Sequence, residues 1–346
     1  MTEKHAAGKK KVPKPLLISI IVFSVIAILF GSVYGFYHSK ISLIDFNDGK
    51  TSGDYVDPDD SELNVGSDEM ESATAGLEDK ESISAEGDLF YSEDIINILL
   101  IGTDERTSNF SANARGDTCM LLSLNKKKHT VKLVSFERGM GVPILSGAYE
   151  GQYDWLTHTF RYGGADLMMR EIQECFRIKI DRYIRVNMKT FIDGINVIGG
   201  ITVNLSSAEA EYINKSQTQK VSAGENHLNA EAALVYARCR GIDSDWIRIQ
   251  RQRNVIKAAM NQIKDLNIFE FNNTLNTVLP LVQTNLTEGE ITSLLFLAPK
   301  FKGAEIEGMT IPAKDTYGSM TGLGGRNLFS VDFKTNTEIL HDFITS

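Results

Sequence analysis

Two groups of residues in this 346-residue chain have the types and spacing needed to handle a phosphate ester. The first comprises Asp104 and Arg106, Arg115 and Asp117, and Arg138, each placed at the end of an apolar run. The second lies on two helical stretches. An apolar face through Val255, Ile256, Ala259 and Ile263, continued backward at helical spacing, reaches Gln252 and Arg248 but misses Arg251, Arg253 and Lys257. In the preceding stretch Ala230, Ala233, Leu234 and Ala237 mark an inner face, and Arg238 lies on it four residues past Leu234. An inward guanidinium without a partner is costly, so Arg238 and Arg248 need an anion. Asp243 and Asp245 can supply it, or a ligand phosphate can, which arginine's planar fork grips bidentately. Arg251 and Arg253 are expected on the solvated face.

Strands must position the first group. Residues 95–101 (IINILLI) are a continuous apolar run, as in a strand buried on both faces, and 118–124 and 130–136 are two more. Up-down connections reverse strand direction, so the end of the first strand, the start of the second and the end of the third share one sheet edge. Asp104, Arg106, Arg115, Asp117 and Arg138 converge there. Loops on a rigid sheet edge are where sites are usually built. Simple ion pairing among these charges is the other reading. Further strands are expected at 182–187, 201–205 and near 306–311. Helices are expected at 164–177, 188–198, 229–238, 246–265, 270–283, 288–299 and 335–344. Such interleaving predicts an α/β fold, a three-layer αβα domain with a central mixed sheet over residues 95–346.

The chain ahead of that domain has a different character. Residues 1–15 carry five lysines, and residues 16–37 are an uncharged run from Leu16 to Tyr37. As a helix this run would be about 33 Å long, enough for a ~30 Å hydrocarbon core. The lysines place the stub in the cytoplasm and the domain outside it, giving a single-pass transmembrane protein of the cell membrane. A cleaved signal peptide would have a shorter apolar region ending in a small-residue site. Residues 38–94 are expected to be an acidic disordered linker, since 41–94 hold seventeen Asp/Glu against Lys50 and Lys80. The domain itself holds 28 Lys/Arg against 27 Asp/Glu, too balanced a charge for an electrostatic nucleic-acid footprint. The stub is also too short for a DNA-reading module. Cys119, Cys175 and Cys239 are widely spaced and odd in number, which argues for small core residues over a disulfide framework or a metal site.

Seven segments occur in the order and approximate spacing of the LytR-CpsA-Psr (LCP) family, and the chain resembles that family over about residues 95–260. They are Asn97–Arg106 (NILLIGTDER), Ala114–Thr118 (ARGDT), Val131–Arg138 (VKLVSFER), Tyr162-Gly163-Gly164, Ile198–Val203 (IGGITV), His227–Arg240 (HLNAEAALVYARCR) and Asp245–Gln252 (DWIRIQRQ). The resemblance implies an enzyme of cell-envelope assembly, moving a glycopolymer from an undecaprenyl-pyrophosphate carrier to peptidoglycan at the membrane. It implies that Asp104 and Asp117 hold Mg²⁺, with Arg138 and Asp104 catalytic. Arg106, Arg115, Arg238, Arg240 and Arg248 would bind the pyrophosphate, with Gln252 on the same face. A prenyl carrier also needs an apolar slot, for which Phe160, Met168, Met169, Phe191, Ile195, Leu294, Leu295 and Phe296 are candidates. The family's Pro-Arg-Asp after the third strand reads Glu137-Arg138-Gly139 here. Its Arg-Ser-Asp reads Arg115-Gly116-Asp117, and its Lys-x-Asn segment reads Trp155-Leu156-Thr157-His158. These departures keep a second reading open, a non-catalytic polyprenyl-phosphate or glycopolymer-binding envelope protein.

Overall fold

Apolar runs that pair up and down form the centre of the domain. The computed structural model describes residues 38–39, 44–49, 67–105, 110–111, 114–264, 270, 274 and 276–346. Arg106 and the expected membrane span at 16–37 lie outside the described residues. Among the described residues no helix is long and apolar enough to cross a membrane.

The first elements are β1 (Asp45–Phe46), α1 (Ser67–Thr74), β2 (Ile95–Thr103), β3 (Thr118–Asn125) and β4 (Thr130–Phe136). A short hairpin of β5 (Gly141–Pro143) and β6 (Tyr153–Trp155) leads into α2 (Leu156–Phe176), and β7 (Arg182–Asn187) and α3 (Met188–Val197) follow. Next come β8 (Ile201–Leu205), α4 (Ser207–Ser216), β9 (Gly224–Leu228), α5 (Ala230–Ala237) and α6 (Asp245–Lys264). The chain closes with β10 (Gln283–Thr284), α7 (Glu288–Leu297), β11 (Ile306–Ile311), β12 (Tyr317–Thr321), β13 (Asn327–Val331) and α8 (Phe333–Thr345).

The main sheet runs in the order β1-β10-β7-β2-β3-β4-β11. Strands β2, β3 and β4 pair antiparallel, while β7 and β11 join β2 and β4 in parallel, so the sheet is mixed as expected. Strand side chains alternate between faces. Leu99, Ile101, Cys119, Leu121, Val134 and Phe136 pack under α2 and α8 with Phe160, Ile172, Phe176 and Leu340. Met120, Val131 and Leu133 face the other way, toward Ile256 and Met260 of α6. Helices on both faces make three layers, and a smaller core joins α3, α4, α5 and α6 around the β8–β9 hairpin.

Local chemistry sets several boundaries. Helix α3 starts on a reciprocal Asn187/Thr190 capping box and α4 on Ser206/Glu209. Helix α2 is broken at Gly163-Gly164, where Gly164 has φ +68° and ψ −160°, a conformation open to glycine. The helix expected from residue 164 is therefore only the second half of α2, and the first half carries His158. The three cysteines are buried free thiols, as expected of small core residues.

The expected disordered linker needs correction at its second half. Residues 67–94 lie along the domain, with Met70 and Ala85 inserted into its main core. Backbone bridges tie Asp79 to Ser319, Ile83 to Asp332 and Phe90 to Ile178. Anchoring through backbone groups and two small apolar insertions leaves the acidic side chains in water, so composition gives no sign of it. Residues 45–46 also join the sheet edge, beside β10. The helix expected over 270–283 lies partly outside the described residues, and its end is a 3-10 turn at Leu279–Leu281 running into β10.

Candidate active site at the sheet edge

Pairing register brings the first group together as the strand directions require. Gly102 stands opposite Thr118 and Cys119 opposite Phe136, so Asp104, Asp117 and Arg138 leave the sheet at one edge. The Asp104 carboxylate accepts from the Arg115 backbone N–H at 3.1 Å and from its guanidinium Nε and Nη2 at 3.1 and 3.0 Å. Arg138 Nε donates to Asp245 Oδ2 at 3.1 Å, and Arg248 Nη2 donates to the same oxygen at 2.6 Å. Asp245 thus supplies the anion that the buried Arg248 needs. Arg248 is held below arginine's usual value by burial and by the neighbouring Arg138 charge. Glu137 is fully buried, and burial together with the Asp245 charge pushes its carboxyl up to about 7.

Two cavities meet this edge. The larger encloses about 1,210 Å³, open mouth included, between the sheet and helices α3, α5 and α6. Its walls are apolar, with Leu100, Ile184, Val186, Phe191, Leu234 and Ile256. Asp104, Asp117, Arg238, Arg240, Arg248 and Gln252 line it as well, so helical phase put Arg238, Arg248 and Gln252 on one cavity. Arg238, however, sits exposed at the C-cap of α5, where water reaches its guanidinium, and is not the buried cation in need of an anion that was expected. Of the residues suggested for an apolar slot only Phe191 lines this cavity. Phe160, Met168 and Met169 pack in the core on the opposite sheet face. The smaller cavity is a narrow notch of about 280 Å³, open mouth included, lined by Arg115, Asp117, Arg138, Gly139, Thr157, His158, Trp155 and Met70. Asp117 borders both. A Cβ on Gly139 would lie 2.0 Å from Met70 Cε, so α1 occupies the notch that the missing side chain leaves.

The Arg251 and Arg253 expectation is overturned. Arg251 is 1% exposed, donates from Nε to Glu209 at 2.6 Å and from Nη1 to the Cys239 carbonyl at 3.2 Å, and pairs with Asp243. Arg253 Nη1 donates to Ser135 Oγ, the Met309 carbonyl and Thr310 Oγ1 at 2.8–3.0 Å. Helix α6 is covered on more than one side, which a single apolar stripe does not reveal. Gly308 of β11 makes room for Arg253, whose Cδ would stand 2.3 Å from a Cβ there.

Arg185 is a further buried arginine near this edge that sequence reasoning missed. Its guanidinium lies between the rings of Phe110 and Phe160 at 4.8 and 4.7 Å, pairs with Glu105 and donates to the Ser111 carbonyl at 2.7 Å. It therefore ties Glu105, next to Asp104, to Phe110 and Ser111. The signal was an arginine at an inward position of an alternating strand, beside Tyr183 and Asn187.

Asp104 and Asp117 are the carboxylates that line the larger cavity, and Arg115 already bonds both oxygens of Asp104, so a divalent cation there would have to share that carboxylate with the guanidinium. Among the described residues no three His, Cys, Asp or Glu side chains gather to hold a metal. Mg²⁺ usually takes one or two carboxylates and fills its octahedron with phosphate oxygens and water, so two acidic groups lining one cavity fit it.

These features define a mixed-sheet α/β domain with an arginine-lined cleft at one sheet edge. The chain belongs to the LytR_cpsA_psr family, whose pattern matches residues 61–341. It is 31% identical over 219 residues to the polyisoprenyl-teichoic acid–peptidoglycan teichoic acid transferase TagT of Bacillus subtilis (strain 168), covering 62% of this chain and 67% of that one. It is 33% identical over 216 residues to the transferase TagU of Oceanobacillus iheyensis, covering 60% and 64%. A third relative is the biofilm regulatory protein A of Streptococcus mutans serotype c, 31% identical, covering 58% and 52%. The chain thus spans between about half and two thirds of the length of these relatives. Among solved structures, TagT bound to LI-WTA superposes with a TM-score of 0.59 at 25% identity, covering 77% of this chain and 97% of that one. The crystal structure of B. subtilis TagT gives 0.57 at 26% identity, covering 78% and 98%.

Proposed function

We propose that this protein is a membrane-anchored phosphotransferase that moves a glycopolymer from an undecaprenyl-pyrophosphate carrier to a peptidoglycan hydroxyl, with Mg²⁺ as cofactor. The observation that carries this reading is the joining, in one cleft, of apolar walls with Arg238, Arg240 and Arg248. An amphiphile with a pyrophosphate head and an apolar tail matches both halves. The names of the relatives, polyisoprenyl-teichoic acid–peptidoglycan transferases, support the same substrate class. The anchor rests on the apolar run at 16–37 and its lysine flank.

Phosphoryl transfer needs charge neutralisation and positioning more than a protein nucleophile. Arg238, Arg240 and Arg248 would hold the pyrophosphate, joined by Arg106 and Arg115, and Gln252 would donate beside them. Arg138 would meet the charge that grows on the phosphoryl group as the bridging P–O bond breaks. Asp104 and Asp117 would hold Mg²⁺, which when bound supplies further charge neutralisation at the phosphate oxygens.

The second reading, a binding protein without turnover, rests on the Glu137-Arg138-Gly139 departure at Arg138. Arg138 and Arg248 share the Asp245 carboxylate, and a substrate phosphate must compete with it. Single-turnover release of polyprenyl phosphate from a labelled carrier separates the two, with binding measured in parallel. Asp104→Ala is expected to lose Mg²⁺-dependent transfer with the fold intact, because an edge residue leaves no core cavity. Arg138→Ala is expected to slow transfer far more than it weakens binding. Unchanged metal dependence in Asp104→Ala rejects the metal assignment, and binding without turnover in the wild type rejects the transferase.

A further inference from the structure

The smaller cavity beside Arg138 is bordered by a histidine in a segment where this chain departs from its family. His158 Nδ1 lies 3.0 Å from Asp154 Oδ2, and both side chains are buried. Tyr162 Oη donates to the same oxygen at 2.5 Å, Arg326 Nη1 at 3.4 Å, and the Trp155 backbone N–H donates to Oδ1 at 2.8 Å. Burial works against an ionised Asp154, yet His158, Arg326 and Tyr162 hold its carboxyl below the usual carboxylate range. An ionised Asp154 fixes the imidazole proton on Nδ1 and leaves the lone pair on Nε2. Burial, with the charges of Arg326 and Arg115 opposing protonation, holds His158 below its ordinary value. At neutral pH it is therefore an unprotonated base. His158, 1% exposed and with Nδ1 turned to Asp154, borders the cavity it shares with Arg115, Asp117 and Arg138.

From this geometry we propose that His158, oriented by Asp154, is the general base that accepts the proton of the acceptor hydroxyl. The inference rests on the transferase reading above. In the step, the acceptor oxygen bonds to the phosphorus that carries the glycopolymer, the P–O bond to the bridging oxygen breaks, and polyprenyl phosphate leaves with that electron pair. The hydroxyl proton passes to Nε2, and the imidazolium formed faces the Asp154 carboxylate. Other candidates are less well placed. Asp104 accepts hydrogen bonds from Arg115 at both carboxylate oxygens. Glu137, which titrates near neutrality, lines neither cavity.

The test uses the full chain in detergent, with single-turnover transfer from a labelled polyprenyl-pyrophosphate glycopolymer to a peptidoglycan fragment, from about pH 5 to 8. The wild-type rate should fall on the acid side as His158 takes up a proton. His158→Asn should bind the carrier as the wild type does, transfer at a rate lower on the order of 100-fold or more, and lose that acid limb. His158→Gln, checked by thermal melt, serves if the asparagine variant does not fold. Glu137→Gln should keep the limb. A wild-type rate and limb in the folded His158 variant overturn the proposal, as does a limb that vanishes with Glu137→Gln and persists without His158. Carrier binding with no turnover in the wild type overturns the transferase reading and this one with it.

Discussion

Replacing Arg251 with methionine removes a guanidinium that is 1% exposed while keeping most of its packing volume. The Glu209 carboxylate, itself buried, loses the 2.6 Å partner that neutralises it, and the Cys239 carbonyl loses its 3.2 Å donor. Breaking one side of a buried ion pair costs about 3–5 kcal/mol, because the remaining charge stays desolvated. The Asp243 contact is nearer solvent and adds under ~1 kcal/mol. At roughly 2–4 °C per kcal/mol for a domain of this size, Tm at pH 7 should fall by roughly 6–20 °C. The deficit also has a pH signature. Burial alone would raise the Glu209 carboxyl, but Arg251 and Ser206 hold it below its ordinary 4.5 in the fold. A depressed carboxyl stabilises above its unfolded pKa and loses that contribution as pH falls through its folded pKa. In the variant Glu209 can simply protonate, so the gap between the two melts should narrow below about pH 4.5. Differential scanning calorimetry on the purified protein across that range reads both quantities. A variant melting within about 2 °C of the wild type at pH 7 would refute the buried-pair account, since it implies well under 2 kcal/mol.

Three further outcomes are expected. Glu137 has a folded pKa of about 7 against an ordinary 4.5, so its contribution is full below 4.5 and lost as pH rises through 7; Glu137→Gln should flatten that fall in Tm, and identical melts in both proteins would count against it. Arg185→Met should speed amide exchange at Ser111, whose N–H donates to Glu105, and weaken carrier binding, because Glu105, next to Asp104, loses its Arg185 partner; unchanged exchange would reject that role. Protease added to intact protoplasts should digest residues 95–346, and protection of that domain would reject the expected topology.

The parts of the fold legible in the sequence are those where one interaction dominates. Ile95–Ile101 and the two runs after it are apolar without interruption because both sheet faces are covered, and their up-down order alone brings Asp104, Asp117 and Arg138 to one edge. Arg248 and Gln252 share the phase of Val255 and Ile256, so their cavity was legible too. Arg251 was not, because its partners Glu209 and Asp243 lie at different separations in sequence, and its place beside Val255 and Ala258 at the edge of the apolar stripe does not name them. Residues 67–94 were misread for a similar reason, since bridges through backbone groups leave no trace in composition. His158 was visible only as a departure from a family segment. Its meaning depends on Asp154, one turn earlier, and on Arg326 from the far end of the chain.

The central claim is that one cleft grips a lipid-linked pyrophosphate by its apolar walls and its arginines together. Native mass spectrometry of the detergent-purified full chain, loaded with a polyprenyl pyrophosphate, tests it most directly. The wild type should retain one lipid per chain, and a variant with Arg238, Arg240 and Arg248 all changed to alanine should lose it while Phe191→Asp weakens it through the apolar wall. Retention of the lipid by both variants, or none by the wild type, would contradict the account.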